Sequence, residues 1–424
     1  MQDLNDNARL KAEVLNFPAY QDRCEDLLQL FKLSRQWSGN PESLLEFQSG
    51  IAQLHAEWQK KKREFKSEGN VIGETVTKRL IVILKRIVDA FVWRILSYDR
   101  VAIQLLSEHS QTGHIDSSIH MDFTIAQSIV KDSGALVIIN DLTSTLLHGD
   151  LTIVEPDGRI IIRENKSGRS SRRDRRAKRQ KQKMHDLAEF LNSGSRVSKD
   201  LMQHYILRAD TEITTYHSRI LEVIKLSKQS GYHRKILSDC FAIEACWINH
   251  PLARMPSDRP FDNVKYIIQE NSLGIFDGVA RRIAPYSIFP FDDEICFALL
   301  SGELMLRATL NFDALSRVYL KNGIILELPN PSDEEIEAYL ALPHRERMRV
   351  AAHEQTSWFM LHSKDTSMQI TPDLWGRVTL EFIDENSIVQ ADLDVLRKIA
   401  KLNIPTKQTA RFYHGYVDES HVWK

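Results

Sequence analysis

The stretch Gly149-Asp150-Leu151-Thr152-Ile153-Val154-Glu155-Pro156-Asp157-Gly158-Arg159-Ile160-Ile161-Ile162-Arg163-Glu164-Asn165-Lys166 decides how the middle of this chain folds. Two short apolar, β-prone runs, 151–154 and 159–163, flank Pro156-Asp157-Gly158. That tripeptide favours a type I turn followed by a glycine in the left-handed region, a three-residue hairpin loop with a bulge. The loop length pairs Glu155 with Arg159, and counting outward sets Asp150 opposite Glu164. Side chains alternate along a strand, so Glu164 and Lys166 share one face and Asp150 joins them across the ladder.

Such a convergence is costly without a ligand. Two carboxylates about 5 Å apart repel by roughly 3 kcal/mol at an effective dielectric near 20, so either one keeps a proton or a divalent cation sits between them. A hard cation such as Mg²⁺, with Mn²⁺ as a substitute, suits two oxygen ligands and completes its shell with water and phosphate oxygens. Lys166 then stands where it orients an attacking water or offsets charge on a phosphate. The plain alternative is a pair of ordinary charges on a solvated sheet face. Spacing alone decides nothing, because Glu64-Phe65-Lys66 repeats it in a charge-rich helical stretch.

Through Gly149-Asp150, the hairpin and Glu164-Asn165-Lys166, the chain resembles the PD-(D/E)xK nuclease superfamily, the restriction-endonuclease-like fold. The resemblance covers the middle third of the chain and implies that Asp150 and Glu164 are metal ligands and Lys166 the family lysine. The opening Pro-Asp of the family name is missing, since His148-Gly149 precede Asp150. Members often carry a helical glutamine after the lysine. Gln180 matches that position better than Gln182, which points elsewhere on the helical wheel. His148 reads as a bystander.

The charge that follows is concentrated. Residues 166–183 hold ten Lys or Arg and one acid, a charge of +9 that leaves −10 for the rest of a chain whose net charge is −1. A basic block beside a candidate phosphodiester site is the footprint expected for a polyanionic substrate, with Arg169, Arg172, Arg173, Arg175, Arg176, Lys178 and Arg179 as candidate phosphate contacts. A solvated helix face or a localisation signal would carry the same charge.

The chain has 424 residues and 42% apolar composition, enough for two or three domains with sizeable cores. Cys24, Cys240, Cys246 and Cys296 form no CxxC or Cys/His pattern, so neither zinc nor a disulfide framework is indicated. The polar opening Met1-Gln2-Asp3-Leu4-Asn5-Asp6 argues against a secretory signal, and no apolar run reaches membrane-helix length. A cytoplasmic location and no membrane partner are the expectations.

Outside the hairpin the pattern is coarser. The first 110 residues read as helical, with an amphipathic helix over 43–66 and a buried one running on from Glu74. That second helix is expected to lead the nuclease core, where the family often supplies another acid. Glu74, Asp89 or Asp141 could fill that role. Strands are expected over 135–140, 146–154, 159–166 and 205–208, with a helix on the stripe Met184, Leu187, Ala188 and Leu191 before the last. A helix around 220–224 and a strand over 241–247 extend this order. Pro251, Pro256 and Pro260 place a boundary near 249–262. Three regions result: a helical N-terminal region (1–67), a mixed-sheet nuclease-like domain (68–250) and an α+β accessory domain (251–424). In the last, strands are expected over 303–310, 323–328 and 378–383 and helices over 313–321 and 392–401. His353-Glu354 opens like a zinc-protease helix, but Ser357 stands where the second histidine should be; a GxxxxGK[ST] loop is also missing.

The fold expected is therefore α/β in the broad α+β sense, and the function a Mg²⁺-dependent endonuclease acting on DNA rather than RNA. The family resemblance suggests a restriction or phage-defence role. The rival reading is a catalytically inactive nucleic-acid-binding protein of nuclease-like fold. The N-terminal helices or the C-terminal domain would serve a homo-oligomer or a protein partner.

Overall fold

Four helices form where apolar positions repeat every three or four residues: α1 (Pro18–Gln36), α2 (Pro41–Ser67), α3 (Val71–Ile95) and α4 (Arg100–Ser107). The computed structural model describes residues 17–107, 119–165, 175–197, 203–254, 260–261, 267–271, 285–327, 359–364, 366–370, 378–379, 381–402 and 410–416. Asn40 caps α2 by accepting the Ser43 N–H at 2.7 Å, with Pro41 in the first turn. Asn70 caps α3 through the Gly73 N–H at 2.8 Å. A Cβ on Gly73 would lie 2.7 Å from the Phe65 ring, so glycine lets the two helices close where they join. The apolar run of α3 is buried around most of its circumference.

Helix α5 (Ile119–Ser133) leads into β1 (Leu136–Ile139), β2 (Leu151–Val154) and β3 (Ile160–Arg163). These strands form an antiparallel three-stranded sheet in sequence order. Leu151 faces Arg163, Val154 faces Ile160, and the Glu155 N–H donates to the Arg159 carbonyl at 3.0 Å, the register the loop length requires. Gly158 has φ +85° and donates its N–H to the Glu155 carbonyl at 2.8 Å. The strands are shorter than expected. β2 begins at Leu151 because Gly149 turns the chain at φ +69°, so His148 does not share a strand face with Asp150.

Both edges of this sheet are closed by side-chain amides. Gln48 of α2 donates to the Val137 carbonyl at 2.9 Å and accepts the Ile139 N–H at 2.8 Å. On β3, Asn192 of α6 (Arg175–Ser193) accepts the Ile160 N–H and donates to its carbonyl, both at 2.9 Å. An edge whose backbone groups are already bonded offers no ladder to another strand.

The remaining elements follow as β4 (Ser195–Val197), β5 (Gln203–Ala209), α7 (His217–Ser230), β6 (Tyr232–Ile236), β7 (Phe241–Trp247), β8 (Ile267–Asn271), α8 (Asp293–Ser301), β9 (Leu304–Asn311), α9 (Phe312–Lys321), β10 (Ile325–Glu327), β11 (Phe359–His362), β12 (Ser367–Ile370), α10 (Glu385–Lys401) and β13 (Ala410–Tyr416). The expected fourth strand of the nuclease core, β5, does not join β1–β3. It pairs antiparallel with β4 and parallel with β13, near the other end of the chain. The capped edges of β1 and β3 give the reason. The strand expected over 378–383 is not seen among the described residues of that range: Val378 and Thr379 are helical, and Ile383 makes an isolated bridge to Thr215.

A four-stranded sheet runs in the order β6-β7-β9-β8, so strands from both sides of the proline-rich stretch pair directly. Inside the sheet, Glu244 is fully buried and bonded by Tyr232 at 2.5 Å, Arg234 at 2.9 Å and Arg307 Nη2 at 2.6 Å. Its charge is thereby compensated, as burial demands. Tyr20 of α1 reaches the Ser301 carbonyl at 3.1 Å, and Arg35 reaches the carbonyls of Phe289 at 3.0 Å and Phe291 at 2.9 Å. The N-terminal helices therefore pack on the C-terminal part of the chain. The architecture is a mixture of helices and small, mostly antiparallel sheets, α+β in class. Among the described residues no helix is long and apolar enough to cross a membrane.

Candidate functional site

Asp150 lies immediately before β2 and is held from both sides. Its N–H donates to the Arg163 carbonyl at 2.8 Å, and its carbonyl accepts the Asn140 N–H at 2.9 Å. Its Oδ2 accepts the backbone N–H of Asn165. The Asn165 side chain in turn donates to Oδ1 of Asp122 at 2.9 Å. Asp122 is buried on α5. One asparagine thus ties an acid of the sheet to an acid of the helix before it.

The electrostatics match that geometry. Burial pushes the Asp150 carboxyl up to about 6; the Asn165 N–H opposes the rise, and the charges of Glu164, Asp122 and Asp141 add to it. Desolvation and neighbouring like charge both disfavour the ionised form. Glu164 follows β3, and Asp141 lies in the 3-10 turn Asn140–Leu142 after β1. Asp150 is therefore the hub of a group of acids drawn from α5, the end of β1 and the end of β3.

The three acids considered for a supporting role separate cleanly. Glu74 pairs with Lys78 at 2.8 Å on the first turns of α3. Asp89 is fully buried and accepts the N–H groups of Ser144 at 2.9 Å and Thr145 at 3.1 Å, with Arg86 at 3.2 Å. It braces the turn between β1 and β2. Of the three, only Asp141 bears on Asp150. The helix leading into β1 is α5 rather than α3, and of its two acids Asp122 is the one that acts on Asp150. Sequence reading missed it, although Ile119, Phe123, Ala126 and Val130 carry a helical stripe.

Lys166, Arg169, Arg172 and Arg173 lie outside the described residues. Arg175, Arg176 and Lys178 stand in the first turn of α6, and Arg179 and Gln180 are exposed on it. Gln180 lies one turn before Met184, whose sulfur is 3.0 Å from where a Gly149 Cβ would sit. The basic helix is thereby anchored beside the Gly149-Asp150 turn.

Two further groups at this site were not foreseen. Asn140, 2% exposed, donates its side-chain amide to the carbonyls of His148 at 2.7 Å and Gly149 at 3.2 Å. The amide oxygens of both Asn140 and Asn165 are buried and have no hydrogen-bond partner among the described residues. Neither amide can be flipped to relieve this, because each NH₂ already faces an oxygen that only accepts. Buried acceptors without donors are uncommon and cost free energy.

Among the described residues no group of three or more His, Cys, Asp or Glu side chains is arranged to enclose a metal ion. The donors present are carboxylate and amide oxygens, with two acceptors unsatisfied. Oxygen donors of this kind are the class a hard cation takes, in contrast to the nitrogen and sulfur ligands of softer ions. Comparison with protein families, with characterised proteins and with solved structures returns no match, so the site is read from its own chemistry.

Proposed function

We propose that this protein is a Mg²⁺-dependent endonuclease that hydrolyses phosphodiester bonds in DNA. The observation that carries the reading is the hub at Asp150: an acid raised towards neutrality by burial and by Glu164, Asp122 and Asp141, at the mouth of a hairpin whose next segment holds a +9 charge. A protein that only held nucleic acid would gain nothing from carboxylates set beside phosphates, since they repel the ligand.

In this reading Asp150 and Glu164 hold the ion, and Mn²⁺ substitutes for Mg²⁺. When bound, the ion neutralises phosphate charge and polarises a water. Lys166, two residues beyond Glu164, orients that water or offsets charge developing on the phosphate. Arg169, Arg172, Arg173, Arg175, Arg176, Lys178 and Arg179 hold the polyanion by its phosphates. Gln180 faces the substrate from the basic helix. A restriction or phage-defence role is consistent with a DNA endonuclease of this type.

The test is incubation of the full chain with plasmid, linear, single-stranded and RNA substrates, with Mg²⁺, with Mn²⁺ and with EDTA. Metal-dependent cleavage of DNA is expected, abolished in Asp150→Ala and Glu164→Ala while nucleic-acid binding persists. Full cleavage by Glu164→Ala would sink the assignment.

A further inference from the structure

The small sheet β10-β11-β12 has two unlike faces. Leu326, Leu361 and Met368 point one way and are buried, which fixes the register of the strands. Because side chains alternate, Ile325, Glu327, Met360, His362 and Ser367 lie on the other face. His362 and Ser367 stand directly opposite each other, with His362 Nδ1 2.8 Å from the Ser367 hydroxyl. On the other flank of β11, Ile325 is the direct neighbour of His362, and Glu327 reaches back diagonally to place Oε2 2.9 Å from His362 Nε2. The three strands thus give one member each to a line of serine, imidazole and carboxylate.

Side chains paired across an open sheet face often bond each other, and a serine beside a histidine alone would say little. The carboxylate changes the chemistry of the pair. Ionised, it only accepts, so in the neutral ring Nε2 carries the proton and Nδ1 presents a lone pair. The Ser367 hydroxyl then donates to Nδ1, the direction a base needs to take its proton. We propose that Ser367 is a nucleophile, with His362 its base and Glu327 a positioning residue that sets the tautomer, and that the site takes the acyl group of small carboxylic esters. Ser367 and Ile325 are both exposed, so an ester reaches the hydroxyl from solvent with its acyl chain against Ile325. The Ser367 Oγ bonds the carbonyl carbon while its proton passes to Nδ1; the ester C–O bond breaks and the departing alkoxide takes that proton. Water then cleaves the acyl-serine, its proton returning through Nδ1 to Oγ as the acid leaves. None of these residues belongs to the Asp150 cluster, so this activity stands or falls independently of the endonuclease reading.

The experiment treats the full chain with a fluorophosphonate, whose phosphorus takes the serine oxygen and loses fluoride, and locates the adduct by peptide mass spectrometry. Hydrolysis of p-nitrophenyl butyrate is followed in parallel. An adduct at Ser367 and release of p-nitrophenol are expected, both lost in Ser367→Ala. His362→Gln should slow labelling by roughly 10²–10⁴-fold, the usual contribution of a general base. Ser363→Ala removes a neighbouring hydroxyl that donates to the Thr366 carbonyl at 3.1 Å, and should label as the unaltered chain does. Glu327→Gln should slow labelling by roughly 10-fold or more, because the ring is no longer held in one tautomer. In ¹⁵N NMR of the imidazole the same variant should move the proton off Nε2, which a merely structural role would not do. Far-UV circular dichroism checks that each variant folds, and heat-denatured chain, which keeps the serine and loses the relay, should not label. An unlabelled Ser367, labelling that ignores His362→Gln, labelling without release of p-nitrophenol, or an imidazole proton on Nδ1 in the unaltered chain would each overturn the proposal.

Discussion

Replacing Asp150 by Asn should make the metal-free protein more stable at neutral pH. The Asp150 carboxyl moves from about 3.8 to about 6 on folding, chiefly through burial. The unfolded chain therefore releases this proton first as pH rises, and the folded state alone retains it between those values. Stability falls as pH climbs through that window and levels off above it. The ionised group costs the folded state roughly 3 kcal/mol at pH 7.5 and about half of that at pH 5, less where solvent screens it. An amide has no charge to desolvate, and its oxygen still accepts the Asn165 N–H. Urea unfolding in EDTA should thus show Asp150→Asn ahead of the unaltered protein by roughly 2–3 kcal/mol at pH 7.5, with the gap narrowing towards pH 4. The difference between the two proteins is the quantity to follow, because buried His217 and His55 titrate low, at about 3 and about 4, and are common to both. Those histidines act with the opposite sign: the unfolded chain gains their protons first as pH drops below about 6.5, so both proteins lose stability in acid. Saturating Mg²⁺ should reverse the order, stabilising only the protein that retains the carboxylate. A variant less stable than its parent at pH 7.5, or a gap that ignores pH, would refute the reasoning and make Asp150 an ordinary structural acceptor.

The loop of the hairpin tests its register. Deleting Asp157 leaves a two-residue turn and slips the pairing of β2 with β3 by one, which should abolish cleavage or folding, whereas Asp157→Asn keeps the bond from the Arg159 N–H, 3.0 Å in the parent, and should cut normally. Changing Arg172, Arg173, Arg175 and Arg176 to Gln should flatten the dependence of log affinity on log salt by roughly 0.9 for each duplex phosphate no longer neutralised, measured by fluorescence anisotropy; an unchanged slope would return the basic run to a solvated face. Asp89→Ala removes the buried carboxylate that Arg86 and the Ser144 and Thr145 N–H groups bond, and should cost about 3–5 kcal/mol in thermal or urea unfolding. A loss below about 1 kcal/mol would mean that the turn after β1 is braced by other contacts.

Local chemistry was legible in the sequence. Pro156-Asp157-Gly158 admits few turn geometries, and a strand repeats every two residues, so the pairing of Glu155 with Arg159 could be counted from the chain, whereas the count onward to Asp150 opposite Glu164 runs past the end of the ladder at Leu151 and Arg163, where Asp150 bonds the Arg163 carbonyl instead. The helices over 41–67 and 71–95 follow from apolar spacing and from the caps Asn40 and Asn70. What counting cannot reach is contact between elements distant along the chain. Asp122 meets Asn165 only because α5 packs against β1, and Gln48 and Asn192 close the two sheet edges only because α2 and α6 lie along them. Those caps send β5 to pair with residues 410–416 instead of joining the hairpin sheet, a choice among strand edges that β5 itself does not encode. Register is set by short-range hydrogen bonds and the length of one loop, so the sequence alone determined the hairpin. The company Asp150 keeps depends on long-range packing of helices, and that only the tertiary structure decided.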